Sequence, residues 1–373
     1  MIIEPVVQGV VARTCHPLGC KQAVKNQIDY VTRQENVKPA PEFPKRVLIL
    51  GASSGFGLAA RIALAFGPAQ ADTLGVSFER GISDKGIGSA GWYNNIWFRE
   101  AAEQQGRFAA NVIGDAFSPQ TRDKVAETIR SELGGGVDLV IYSLATGIRP
   151  NPETGEFWRS VIKPVGESVT GYSVNIEKGA LESVTMPPAS QEEIEATEKV
   201  MGGEDWQSWI EWLADQNLLA KGARTVAFSY IGPEQTHALY HRGTLGYAKA
   251  HLHNTKDKLN LRFPSSEISA DIAVCKALVT KASVFIPGLA PYLLALMKVM
   301  KQHGTHETCI EQMYRLFYQR FDCPPEGKAQ TDAEGLIRMD DWELAPETQQ
   351  DTLTLLKKYN RITSSKSETM KVS

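Results

Sequence analysis

The sequence predicts an α/β fold: a doubly wound parallel sheet with an N-terminal extension and an inserted small β substructure. Three observations carry this. Arg46 to Phe66 reads RVLILGASSGFGLAARIALAF, an apolar run, a glycine-rich turn and an apolar stretch at helical spacing. From there to Tyr142, short apolar runs alternate with helical patterns, the rhythm of βαβ units. Between Thr146 and Ala189 that rhythm breaks, and five prolines with paired apolar residues point to small strands instead.

Each element follows in order. Residues 1–44 are an extension. Ile2-Ile3, Val6-Val7 and Val10-Val11 suggest short strands, Gln22 to Arg33 a helix, and Val37 to Pro44, with three prolines, a linker. Val47 to Leu50, apolar throughout, reads as a buried parallel strand. In the turn Gly51-Ala52-Ser53-Ser54-Gly55-Phe56-Gly57, Gly51 takes a backbone angle closed to other residues. Gly55 lets a pyrophosphate approach the first N–H groups of the helix, and Gly57 lets that helix pack close to the strand. Leu58 to Phe66 is the helix, with Arg61 expected to face outward. Strand, glycine turn and helix together open a dinucleotide-binding unit, so the fold is an elaborated Rossmann fold.

Thr73 to Phe78 is the second strand and ends in Glu79, 28 positions after Gly51. An acid there bonds the adenosine ribose and repels a 2′-phosphate, favouring NADH over NADPH, although the neighbouring Arg80 argues the reverse. Gly81 to Tyr93 is a glycine-rich loop and Asn94 to Gln105 a helix. Phe108 to Ile113 is the third strand, followed by Asp115-Ala116; Gln120 to Leu133 is a helix; Val137 to Tyr142 is the fourth strand, followed by Leu144-Ala145. Gln191 to Met201 and Asp205 to Gln216 are helices, the second with a core-facing stripe of Trp206, Trp209 and Trp212. Thr225 to Ser229 is the fifth strand. Pro291 to His303 is an apolar helix, shorter than the roughly 20 residues of a membrane span.

Bulk properties narrow the function. Of the 373 residues 42% are apolar, enough for a large core, and a net charge of −3 without a basic run argues against nucleic acid. Five irregularly spaced cysteines read as reduced thiols in a cytoplasm, and no signal peptide opens the chain. Cys15-His16-Pro17-Leu18-Gly19-Cys20 offers three metal ligands but no fourth downstream, so no metal is expected.

The candidate acid–base pair is Tyr240 and Lys249, with eight residues between them. Nine steps of about 100° place them on opposite faces of one straight helix. Tyr240 therefore belongs in a loop, with Gly243 breaking, Thr244 capping and Leu245 to Leu259 helical. No Tyr in the chain has a Lys four residues on, so the usual short-chain dehydrogenase pair is absent.

The Tyr-x8-Lys spacing resembles the FabV-type enoyl-acyl-carrier-protein reductases and the similar trans-2-enoyl-CoA reductases. Cys15 to Cys20, Gly51 to Gly57, Val76 to Glu79, Met201 to Trp206 (MGGEDW), Ser229 to Glu234 (SYIGPE), Lys301 to Arg315 and Asp340 to Glu343 agree with that family, and the resemblance runs to about Asp351. The resemblance implies that Gly51 to Phe56, Phe78-Glu79, Asp115-Ala116 and Leu144-Ala145 line an NADH site, with Leu278-Val279-Thr280 contacting it from the other side. It implies Tyr240 as proton donor, Lys249 as a cofactor contact and Tyr230 as a substrate contact. The implied enzyme is a cytoplasmic monomer that saturates the trans-2 double bond of an enoyl thioester, on acyl-carrier protein or CoA, in fatty-acid synthesis. It needs no nucleic acid and no stable membrane insertion. Two stretches depart from the family. Leu261 to Ile272 is short and lacks glycines, and the polar tail from Asn360 replaces an aromatic-rich segment.

The residue types suit that chemistry. A phenol aimed at the thioester oxygen stabilises the charge that develops there and supplies a proton, and a nearby ammonium serves phenol and ribose together. A ketone or alcohol dehydrogenase on the same fold and a non-catalytic dinucleotide sensor are the alternatives. The expected layout is one domain: extension 1–44, NADH-binding half 45–145, insertion 146–189, catalytic and substrate half 190–358, and a disordered tail 359–373. Ile286 to Met300 is expected to line an acyl pocket.

Overall fold

The computed structural model describes residues 6–8, 11–12, 14–34, 43–84, 86–175, 180–264, 267–280, 283, 289–321 and 329–365. Ile2-Ile3, most of the linker Val37 to Pro44, the start of the Ile286 to Met300 stretch and Cys323 lie outside the described residues. Strands β1 (Val7–Gln8) and β2 (Val11–Ala12) pair antiparallel. Helix α1 (Pro17–Thr32) starts at Pro17 rather than Gln22. Pro17 sits in the first turn, where its missing N–H costs nothing, and His16 Nδ1 accepts from Gly19 N at 3.1 Å. The histidine that invited a metal reading is a helix cap.

The chain then alternates. β3 (Arg46–Leu50) leads to α2 (Gly55–Phe66), β4 (Asp72–Ser77) to α3 (Ala90–Gln104), β5 (Ala109–Ile113) to α4 (Pro119–Glu132), and then β6 (Val137–Tyr142). The insertion holds two antiparallel hairpins, β7 (Ile148–Pro150) with β8 (Phe157–Arg159) and β9 (Val169–Asn175) with β10 (Ala180–Met186). There follow α5 (Gln191–Met201), α6 (Glu204–Asp215), β11 (Leu219–Ser229), α7 (Thr244–Arg262), β12 (Ile268–Val274), α8 (Leu289–His303), α9 (Cys309–Arg315), β13 (Ile337–Arg338) and α10 (Pro346–Ser365).

Seven strands form one parallel sheet in the order β13-β12-β11-β6-β3-β4-β5. The order of growth reverses between β3 and β6, the switch point at which such sheets open a ligand crevice. Period-two alternation builds a core on each face. Val47 and Ile49 pack with α1, α2 and α9 on one side, and Leu48 and Leu50 with α4, α6 and α7 on the other. Trp206 and Trp209 are fully buried in the second core.

Several expectations change. Arg61 does not face outward; it is fully buried. Its guanidinium lies 4.2 Å over the Phe98 ring and donates to Thr73 Oγ1, Asn111 Oδ1 and the Ala110 carbonyl, so α2 is tied to β4 and β5. Strand β11 begins at Leu219, ahead of the expected Thr225, because a register shift between Leu219 and Arg224 hides its first part from a period-two reading. Strands β12 and β13 add to the five strands that the sequence pattern predicts for the sheet. Gly243, not Thr244, occupies the N-cap of α7. Thr244 Oγ1 instead donates to the Val161 carbonyl at 2.6 Å and accepts from Lys163 N, fastening the insertion to the helix. Helix α10 runs to Ser365, past the point where a disordered tail was expected, and 366–373 lie outside the described residues.

Candidate active site

Because every strand of the main sheet is parallel, all their carboxyl ends meet at one edge. Gly51–Phe56 follows β3, Phe78-Glu79 follows β4, Asp115-Ala116 follows β5, Leu144-Ala145 follows β6, Tyr230 follows β11 and Leu278-Val279-Thr280 follows β12. The stretches named from the sequence therefore share one rim.

The glycine turn is shaped for an anion. Gly51 has φ +93°, and a Cβ there would lie 2.3 Å from the Ser143 carbonyl, so the turn presses against the end of β6 at the switch point. Ser54 caps α2 without a side-chain hydrogen bond, and the space around Gly55 is open to 4 Å. The first-turn N–H groups thus keep no side-chain cap, and nothing bulky covers them, which fits the pyrophosphate of a dinucleotide. Ala52 and Ser53 are both buried. Phe78 is 83% exposed. The Ala116 carbonyl accepts from Trp209 Nε1 at 3.2 Å, which fixes the Asp115-Ala116 turn from beneath.

Glu79 is held by two serines. Ser53 Oγ donates to Oε1 at 2.6 Å and Ser89 Oγ donates to Oε2. Gly91, in the first turn of α3, has no room for a side chain, since a Cβ would lie 2.0 Å from Glu79 Oε1. Arg80 turns away, its Nη2 donating to the Ile87 carbonyl at 3.4 Å. The carboxylate, not the guanidinium, is the group braced at the end of β4. Glu79→Ala should raise the NADPH-to-NADH ratio of kcat/KM on the order of tenfold by removing repulsion of a 2′-phosphate. An unchanged ratio would show that Glu79 does not read the ribose.

Tyr240 stands in the loop ahead of α7, and Lys249 lies in the second turn of that helix. Tyr240 is 5% exposed, and among the described residues its hydroxyl has no hydrogen-bond partner. Burial first, and then the Glu343 charge, push its pKa above the ordinary phenol value, so it is protonated at neutral pH. Lys249 Nζ donates to the Phe228 carbonyl at 3.1 Å, and Phe228 packs on Phe56 of the glycine turn at 5.7 Å between ring centroids. Burial, partly offset by the Cys275 thiol, lowers the Lys249 pKa to about 8. One helical turn on, His253 meets Ser229 Oγ at 2.8 Å, so α7 is pinned at two points to the end of β11.

Tyr230 is differently committed. Its ring meets the Tyr240 ring edge-on, with centroids 4.7 Å apart, a contact contributing about 0.5–1.5 kcal/mol. Its hydroxyl donates to Glu343 Oε1 at 2.9 Å. Glu343 also accepts from Tyr292 Oη at 2.7 Å and Ala277 N at 2.6 Å. Burial raises the Glu343 pKa even against these donors and Lys276. Around this group lies a third apolar cluster, which includes Tyr240, Leu245, Ala277 and, from α8, Leu289, Leu293 and Leu296. Leu278 is buried at its edge and Val279 is 60% exposed. Thr280 closes a tight loop with Ser283, its N donating to Ser283 Oγ at 2.8 Å.

Glu343 is not among the residues expected from the sequence, where its one signal is that it ends a motif shared with the family. Tyr292 falls within the Ile286 to Met300 stretch expected to line the acyl pocket, but its bond to Glu343 has no signal in the sequence. Among the described residues, no group of three or more His, Cys, Asp or Glu could hold a metal ion, and no helix is long and apolar enough to cross a membrane.

Open donors at α2, a braced acid after β4 and a tyrosine with an uncommitted hydroxyl make chemical sense together in a dinucleotide-dependent oxidoreductase. Comparison with known proteins narrows the class. Residues 2–84 match the family described as the NAD(P)H binding domain of trans-2-enoyl-CoA reductase, and residues 86–321 match its catalytic region. The chain is 59% identical over 361 residues to an enoyl-[acyl-carrier-protein] reductase [NADH] 2 of Photobacterium profundum, covering 96% of this chain and 88% of that protein. It is 45% identical over 360 residues to the trans-2-enoyl-CoA reductase [NADH] of Treponema denticola, covering 96% and 89%. The crystal structure of Clostridium acetobutulicum trans-2-enoyl-CoA reductase in complex with NADH superimposes with a TM-score of 0.89 at 42% identity, over 96% of this chain and 88% of that one. The chain belongs to the trans-2-enoyl-CoA reductase family, which includes FabV-type enoyl-acyl-carrier-protein reductases.

Proposed function

We propose that this protein uses NADH to reduce the trans-2 double bond of enoyl thioesters, with Tyr240 as proton donor and Lys249 as cofactor contact. The observation that carries the reading is the uncommitted Tyr240 hydroxyl at the border of the third apolar cluster, beside the rim that suits a dinucleotide. NADH, when bound, supplies the hydride for the β-carbon. The chain's own residues do the rest. The first turn of α2 takes the pyrophosphate, and Glu79 takes the adenosine ribose. Tyr240 points a phenol, kept neutral by burial, toward the thioester oxygen where charge develops and gives up its proton. Lys249 brings a positive charge to the nicotinamide side of the rim. The apolar cluster excludes water and takes the acyl chain. Leu278-Val279-Thr280 close the cofactor from the β12 side, and the Tyr230 ring borders the substrate.

Acyl-carrier-protein and CoA thioesters both fit this chemistry, and relatives carrying either name support it. As the family resemblance implies, we take the chain to act as a monomer in the cytoplasm. It works as one dinucleotide-binding domain, since one sheet draws strands from Arg46 to Arg338. The test is NADH oxidation followed by absorbance with crotonyl-CoA. Oxidation with the enoyl thioester and not with simple ketones supports the reading, and activity on ketones alone overturns it.

The α8 side of the cluster is the proposed acyl wall. Leu293→Trp should shift the preferred substrate toward shorter chains, by about tenfold in kcat/KM between long and short acyl groups, with NADH affinity intact. If Leu293→Trp lowers only the thermal midpoint, the helix is plain core.

A further inference from the structure

Glu343 takes no part in the reaction outlined above, yet it is fully buried beside it. A carboxylate without water is stable only when donors fill its oxygens. Here they come from three separate parts of the site. Tyr230 Oη, from the end of β11, and Tyr292 Oη, from α8, share Oε1 at 2.9 and 2.7 Å. Ala277 N, just ahead of the 278–280 segment, takes Oε2 at 2.6 Å. Gln349 of α10 locks the arrangement from behind, donating to the Glu343 carbonyl at 2.6 Å and lying 3.1 Å from Tyr292 Oη. The tyrosine fixed in this way turns its ring edge-on to Tyr240. With its hydroxyl proton committed, Tyr230 offers the site a rigid ring rather than an acid.

We propose that Glu343 is a positioning residue: by holding Tyr230 and Tyr292 together, it sets the Tyr240 phenol in place against the acyl wall. This rests on Tyr240 being the proton donor. Glutamine at 343 keeps the volume and one acceptor oxygen. Its amide NH2, however, either meets the Ala277 N–H, donor against donor, or turns to the two hydroxyls, which must then accept and leave their own protons without the carboxylate oxygen, so one corner of the site shifts.

The experiment measures kcat and KM with crotonyl-CoA, NADH affinity by fluorescence and the thermal midpoint. The variants are Tyr240→Phe, Glu343→Gln, the pair Tyr230→Phe/Tyr292→Phe, and that pair combined with Glu343→Gln. Glu343→Gln should lower kcat about tenfold, the rate cost of roughly one mis-set hydrogen bond, with NADH affinity within about twofold of the parent. In the background lacking both tyrosine hydroxyls, the same change should cost less than about threefold, because the arms through which Glu343 acts are gone. A parental kcat in Glu343→Gln overturns the proposal, and so does a full, multiplicative loss in that background. A purely structural role would lower the midpoint and weaken NADH binding along with kcat. If Glu343→Gln does not fold, Tyr230→Phe and Tyr292→Phe taken singly decide: a kcat loss in each supports the proposal, and parental kcat in both overturns it. Tyr240→Phe is the separate control. If it keeps turnover, the donor assignment has failed; if it loses turnover while Glu343→Gln does not, only the positioning role has failed.

Discussion

Tyr240→Phe should lower turnover of an enoyl thioester by about a hundredfold or more, the typical loss of one general acid, while folding and NADH affinity survive. The hydroxyl it removes has no hydrogen-bond partner among the described residues, so no structural bond is broken. The phenyl ring keeps its place against Tyr230. The loss should therefore fall on kcat and hardly on KM, the mark of an interaction made only in the transition state. Single-turnover measurement with NADH prebound isolates the step. The competing candidate is Tyr230, whose proton is already given to Glu343. Near-full turnover in Tyr240→Phe, with Tyr230→Phe inactive, would move the acid to the other ring.

Lys249→Ala should reduce both turnover and NADH affinity, each by about tenfold or more, because it removes the proposed cofactor contact; the charge that acts on the Tyr240 phenol is that of Glu343, not Lys249. The parent protein adds a pH signature. With its pKa lowered to about 8, Lys249 loses its proton as pH rises through that value. Bound NADH favours the ammonium and raises that pKa, so binding takes up a proton and affinity weakens above about pH 8, by up to tenfold per pH unit. Lys249→Ala should flatten this dependence, and titration of NADH between pH 7 and 9 checks it. Stability moves the other way. Burial holds Lys249 below its unfolded value of 10.5, so between about 8 and 10.5 the unfolded chain binds more protons, and this residue's contribution to stability rises with pH.

Much of this was readable along the chain because the deciding physics is local. Four apolar residues before Gly51, and glycines where a side chain cannot fit, define the first βα unit within a dozen positions. The placement of Tyr240 also follows from local geometry, since Gly243 stops α7 from extending back to it. What stayed hidden depends on partners far away. The sequence puts Arg61 outside because a lone charge on an apolar helix belongs in water unless something pairs with it; its acceptors on β4 and β5 come from later in the chain. Glu343 reads as one more acid near a helix start until β11, α8 and the segment after β12 converge on it. Strand β13 has only two residues, too few for any period to show. The early start of α1 was masked because the Cys-His-Pro stretch suggested ligands rather than a cap.

The serine-braced carboxylate at the end of β4 also bears on redesign of cofactor preference. Ser53 and Ser89 reach Glu79 from positions on either side of it in the chain. Shortening residue 79 removes the repulsive charge and at the same moment strands two hydroxyl donors, both aimed at the vacated space. Donors so aimed are what a phosphate oxygen seeks, so under the role proposed for Glu79 the same assembly becomes half of a receptor for the phosphorylated cofactor. A basic side chain at position 80 already stands next to that space, turned back on its own loop. A side chain at position 91 would have the reverse outcome, expelling the acid by bulk while filling the room it leaves. Reversal of preference is therefore a matter of which of these neighbours is allowed to move, and residue 79 is only the first of them.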